Sequence, residues 1–167
     1  MRKNLKTINI GNYSASYDKF ISDINMEYIL TSAAEALEKC TDPFKAATHF
    51  INTSSFRMLY FNLQDFIPYN EETDNLAYSA GAAFLLSQIA MCLVIAEIAG
   101  FNPSDDEVQT FILSNFHNKY INSTFSTPDS SSVEIFTYGV LHTLSSLASS
   151  EILGRRARDF FFKKHKK

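Results

Sequence analysis

Tryptophan is absent from this 167-residue chain, cysteine occurs twice, proline four times and glycine five times. Each scarcity removes a class of function. Cys40 and Cys92 are far apart and lack the paired spacing of a metal clip or redox couple, so they read as buried free thiols. Five scattered glycines build no phosphate-cradling loop, which excludes nucleotide hydrolysis of the usual kind. The histidines, His49, His117, His142 and His165, come singly. None shows the i, i+4 spacing with a carboxylate that a helical zinc site needs, and no metal or cofactor is expected. Cys40 and His49 straddle a proline break, so a Cys–His nucleophile would rest wholly on tertiary approach. No apolar core follows the basic start Met1-Arg2-Lys3, so a cleaved export signal is not expected, and the sequons at Asn12, Asn52 and Asn122 read as chance matches.

What the chain does have is bulk. Fifteen Phe and eight Tyr within 46% hydrophobic and 20% charged residues describe a globular protein with an aromatic interior. The length suits one domain able to bury its own core. Residues 1–22 read as a polar leader, 23–162 as a single all-α domain of five to six helices, and 163–167 as a basic tail.

Met26, Ile29, Leu30, Ala33, Leu37 and Cys40 recur at helical spacing, predicting a first amphipathic helix from Asp23, its N-cap, to Lys39. Thr41-Asp42-Pro43 stops it and starts a second helix, with Asp42 as cap and proline in the first turn. Phe44, Ala47, Phe50 and Ile51 supply its apolar face. Phe56 to Phe66 is aromatic without a clean period, and Pro68 to Asp74 is a polar connection. From Asn75 to Ala99 the pattern is apolar nearly all round, as in a buried central helix or a membrane span. Ser87, Gln88 and Glu97 favour burial in protein, because such groups are costly in lipid. Gly100-Phe101-Asn102-Pro103 is a turn, and Ser104 with Glu107 forms a capping box for the next helix, whose face is Val108, Phe111, Ile112 and Phe116. Asn122 to Ser132 has the composition of a surface loop. A last helix opens near Ser132, with Val133, Phe136, Val140, Leu144, Leu147 and Ala148 on one side, and runs towards Ile152-Leu153-Gly154. No strongly alternating strand pattern is evident.

Two fragments, Ile95-Ala96-Glu97-Ile98-Ala99-Gly100-Phe101-Asn102-Pro103-Ser104-Asp105-Asp106-Glu107 and Ile152-Leu153-Gly154-Arg155-Arg156-Ala157-Arg158-Asp159-Phe160-Phe161, resemble the bacterial EcsC family. There an apolar helix ends in a glycine-containing turn before an acidic helix start, and a glycine-basic-alanine-aromatic helix closes the chain. This chain is short for that family, and Pro128-Asp129-Ser130-Ser131-Ser132 stands where a glycine- and proline-rich run is usual. The resemblance implies a helical bacterial protein, sometimes encoded beside transporter genes, with no established reaction and no catalytic residues to carry over.

Gln88 and Glu97 are the candidate lining of a polar pocket, because their helix should be buried, although an internal hydrogen bond serves such groups equally. The acidic clusters Glu71, Glu72, Asp74 and Asp105, Asp106, Glu107 are explained by solvation and capping. Charge is unevenly placed. Residues 1–154 hold 17 acids and 8 bases, whereas 155–167 hold seven bases and one acid. Arg155, Arg156, Arg158, Lys163, Lys164, Lys166 and Lys167 are therefore candidate contacts for an acidic partner or an anionic membrane surface, beside Phe160-Phe161-Phe162. The triplet either inserts shallowly or finishes the core. Nucleic acid is disfavoured as a partner because the acidic body repels phosphate. These features describe a cytoplasmic, non-enzymatic interaction module with a protein partner, or one peripheral to the inner membrane. The alternatives are a small immunity or inhibitor protein covering a toxin or enzyme, and an enzyme with an apolar pocket.

Overall fold

The computed structural model describes residues 7–10, 13–57, 80–116 and 149–163. Strand β1 (Thr7–Ile10) pairs antiparallel with β2 (Tyr13–Ser16), with Thr7 opposite Ser16 and Ile10 opposite Tyr13. Helices α1 (Tyr17–Asp23), α2 (Met26–Lys39), α3 (Pro43–Arg57), α4 (Ala80–Ile98) and α5 (Asp106–Phe116) follow. A further helix, α6, is described over 149–163. The protein is thus all-α but for one small hairpin, as its periodicity predicts.

Helix α4 is the axis of the core. Every residue from Leu86 to Ala96 is buried, under α2, α3, α5 and β1, which explains an apolar pattern that runs all round the helix. Among the described residues no helix is long and apolar enough to cross a membrane. Positions 75–79, where the pattern places the start of this helix, lie outside the described residues. So do 58–74, with the polar connection expected at Pro68 to Asp74, and the whole of 117–148, with the loop expected at Asn122 to Ser132 and the helix expected to open near Ser132.

The structure departs from the sequence reading at the N-terminal side. The supposed leader contains the hairpin and α1, and Ile8, Tyr17 and Phe20 from it are buried in the same core as α4. Ser16 caps α1 by accepting from the Lys19 amide at 3.2 Å. Asp23 accordingly ends a helix and does not start one. It pairs with Lys19 at 2.9 Å, Ile24 is extended, and Asn25 caps α2 by accepting from the amides of Glu27 and Tyr28. Ile29, Ala33 and Ala36 then face the core.

The start of α3 follows its sequence signal, with Asp42 Oδ1 accepting from the Lys45 amide at 2.8 Å. Its inner face is Ala46, Ala47 and Ile51, while Phe50 is half-buried and Phe44, expected inside, is 43% exposed. At the far end of α4, Gly100 adopts φ 84°. Its amide donates to Glu97 O at 2.9 Å and the Phe101 amide to Ala96 O at 3.0 Å. This paired closure requires a left-handed residue, and glycine adopts it without a Cβ clash.

The cap of α5 falls one residue beyond Ser104. The Gln109 amide donates to Asp105 O at 3.0 Å, making Asp105 the first acceptor of the helix. Its carboxylate accepts from the Asn102 amide at 2.8 Å, closing the turn, and Ser104 is exposed. Ser and Asp are both good capping residues, so the local pattern alone admits either.

Helix α6 wedges between α3, α4 and α5. Gly154 meets Ile51 and Met91, and a Cβ built on it would lie 2.9 Å from Ile51 Cγ1. One turn on, Arg158 donates to Thr48 Oγ1 at 2.9 Å, and its guanidinium stands 4.3 Å from the Phe44 ring centre. A further turn places Phe162 against Phe44 at 5.5 Å. The partners on α3 descend in number as those on α6 rise, so the two helices run antiparallel.

Candidate functional site

The two polar residues expected to share a pocket are not brought together. Gln88 and Glu97 are nine residues apart on one helix, which turns them to opposite sides and separates them by about 13 Å along the axis. Gln88 is 1% exposed, and its amide nitrogen lies 3.4 Å from Oγ of both Ser149 and Ser150. It is a polar link between α4 and α6. Such a link specifies how the helices dock, because moving either would leave a buried polar group without its partner.

Glu97 instead stands half-buried near the α4–α5 turn. Its carboxyl is held above the ordinary glutamate value, first by burial and then by the charge of Asp105. Nearby, the buried Tyr17 hydroxyl donates to Pro103 O at 2.6 Å. Burial first, and then Asp18 and Asp105, push this phenol well above its ordinary value, so it acts as a neutral donor. The arrangement ties α1 to the turn without assembling a nucleophile and base.

Cys92 is buried and Cys40 half-buried, both as free thiols, and His49 is exposed on α3. Among the described residues no three His, Cys, Asp or Glu side chains cluster as metal ligands. His117, His142 and His165, the acidic group at Glu71, Glu72 and Asp74, and the bases Lys164, Lys166 and Lys167 lie outside the described residues.

The basic residues of α6 divide by face. Successive residues turn by about 100°, which puts Leu153, Ala157 and Phe161 on the inner side, where all three are buried. Phe160 and Phe161 stack on Phe111 at 5.1 and 5.2 Å, and Phe161 also meets Phe101 at 5.5 Å. Phe160 and Phe161 therefore pack into the core, while Phe162 lies against the exposed Phe44. Arg158 is spent on Thr48, Phe44 and Asp159. Arg155 is exposed and pairs with Glu151 one turn earlier. Arg156 and Lys163 are exposed, and neither is in an ion pair with a described residue.

On the same outer face, one turn ahead of Arg155 and Arg156, stands Ile152, 61% exposed, a residue that charge counting passes over. The helical period does single it out, since Leu153 shares the face of Ala157 and Phe161 whereas its neighbour Ile152 cannot. The resulting surface is a stripe that starts at Ile152, continues through Arg155 and Arg156 one turn on, and ends at Lys163 about 16 Å away, with Asp159 between them held by Arg158. It can make charge-assisted contacts to carboxylates around a small desolvated centre. Comparison of the chain with protein-family models, with curated proteins and with solved structures finds no match.

Proposed function

We propose that this chain is a non-enzymatic helical interaction module, similar to a short EcsC-like protein, that recognises an acidic protein surface through the outer face of α6. The observation that carries the reading is the division of α6 itself: its inner side completes the core, while Ile152, Arg156 and Lys163 face solvent. A single exposed isoleucine at the start of that face is tolerated in solvent, and together with the bases that follow it offers apolar contact area beside charge. Gln88, a group an enzymatic reading would use, links α4 to α6, and Glu97 lies on the opposite side of α4 from it. In this reading the protein works in the bacterial cytoplasm and meets the inner membrane only peripherally.

The test is binding of fluorescently labelled polyglutamate, followed by anisotropy at low ionic strength. The wild-type protein should bind, and binding should weaken as salt screens the charges. Arg156→Glu with Lys163→Glu should abolish it while leaving helicity and melting unchanged. Equal binding by the variant, or none by the wild type, refutes the assignment. Vesicles of anionic lipid in parallel separate a protein-directed face from a membrane-directed one.

A further inference from the structure

A second face on the molecule has the opposite character. Along α2, Ile29, Ala33 and Ala36 are buried, and the opposite side presents Glu27, Thr31, Ala34, Glu35 and Glu38 to solvent. Leu30 stands beside them, 49% exposed. None of the three glutamates is in an ion pair with a described residue, and only Lys39, in the last turn, opposes them in charge. Glu27 and Glu38 lie eleven residues apart, about 16 Å along the helix. On α6, Ile152 and Lys163 are separated by the same interval.

The molecule therefore carries two outward helix faces of matching length, each with one large exposed aliphatic residue. One is fringed by Glu27, Glu35 and Glu38 and the other by Arg156 and Lys163, none of them in an ion pair with a described residue. We infer that the occupant of the α6 face is α2 of a second copy of this chain, in a head-to-tail contact with the two helices parallel that sets Leu30 beside Ile152, Glu35 near Arg156 and Glu38 near Lys163. The inference rests on the reading of α6 as a surface that binds acidic protein, and it names the partner.

A head-to-tail contact uses different patches on the two copies, so each added copy leaves one of each face free, and assembly continues until a ring closes or a chain grows. One facing helix pair buries less than a standard interface of about 1,600 Å². The association is therefore weak, built up at high protein concentration, and sensitive to salt.

Sedimentation velocity across a wide concentration series tests this. The wild-type protein should shift from monomer to larger species at low salt, and the shift should be lost at about 0.5 M salt, where the Debye length is only a few ångströms. Two charge-reversed proteins supply the decisive comparison: Glu35→Lys with Glu38→Lys on α2, and Arg156→Glu with Lys163→Glu on α6. Each alone presents two faces of one sign and should stay monomeric, with self-association weakened by at least about tenfold. Mixed in equal amounts, they should associate again in strict alternation and grow as the wild type does, because reversed α2 of one meets reversed α6 of the other while the native α6 and α2 faces they retain are also complementary. That recovery also shows that both variants are folded.

A wild-type protein that stays monomeric throughout, or a mixture that fails to pair when the wild type associates, overturns the inference. Polyglutamate binding separates the two failures. If it persists while self-association is absent, the α6 reading stands and the second copy is excluded as partner. If both are absent, the reading of α6 falls with it.

Discussion

Replacing Gly154 by alanine puts two opposed effects on one methyl group. In an unhindered helix the change stabilises by about 0.8–1.0 kcal/mol, because glycine loses more backbone entropy on folding. Here the added Cβ lies 2.9 Å from Ile51 Cγ1, 3.1 Å from Ile51 Cγ2 and 3.1 Å from Met91 Sδ. Met91 can yield by rotating its flexible thioether. Ile51 cannot, because it is fully buried and both of its close atoms sit on a β-branched centre with a stiff χ1. Relief therefore requires α6 to move off α3, an overpacking cost of about 1–3 kcal/mol. The net expectation is a loss of up to about 2 kcal/mol. At roughly 2–4 °C per kcal/mol for a domain of this size, that is a visible fall in Tm.

The check is a double-mutant cycle in urea at matched m-values. In an Ile51→Ala background the obstructing branch is gone, so the same Gly154→Ala change should stabilise by up to about 1 kcal/mol, giving a coupling of about 1–3 kcal/mol. A Gly154→Ala protein more stable than wild type, or one with the same effect in both backgrounds, refutes the wedge of α6 against Ile51.

Two further perturbations follow from the α4–α5 turn. Asp105→Ala should cost about 0.5–1.5 kcal/mol through loss of the carboxylate's bond to the Asn102 amide, whereas Ser104→Ala should leave stability within about 0.5 kcal/mol of wild type; the reverse order would place the cap at Ser104. Glu97 gives a pH dependence. Its folded carboxyl holds its proton more tightly than the unfolded one, so its contribution is fully present below the unfolded value of 4.5 and is lost as pH rises through the higher folded value. Glu97→Gln should flatten the fall in stability across that window and leave the variant the more stable at neutral pH; an unchanged profile in urea melts at several pH values would count against the burial of this group.

The elements legible in the sequence are those whose signals are local and redundant. Helix α4 declares itself by an unbroken apolar run, Asp42-Pro43 by a cap and a proline, and Gly100 by standing at the end of a periodic segment. The N-terminal segment hid because β1 and β2 are four residues each, too short for alternation to register, and because Tyr17 and Phe20 are a single helical turn. Asp23 was ambiguous for another reason: it lies where one helix ends and another begins, and an acidic residue fits either account. The disposition of Gln88 and Glu97 was available from helix geometry, since nine residues amount to two and a half turns. That Arg158 is consumed by Thr48 and Phe44 was not, because its partners lie 110 residues away in the case of Thr48. A tally of charge treats all seven bases alike, whereas tertiary packing sorts the four described ones, holding Arg158 against α3 and leaving Arg155, Arg156 and Lys163 exposed.

The position of α6 also has a consequence for synthesis. A ribosome delivers residues 149–163 after α3, α4 and α5, the three helices that α6 joins. Until it emerges, Ile51, Met91, Phe101 and Phe111 lack the side chains that cover them, and Gln88 lacks Ser149 and Ser150. The nascent chain thus passes through a stage with sticky apolar flanks and an unmet amide, the kind of intermediate that chaperones bind and that aggregates when they do not. Codon choice and translation speed between α5 and α6 then bear on the yield of folded protein as directly as any substitution in the finished core.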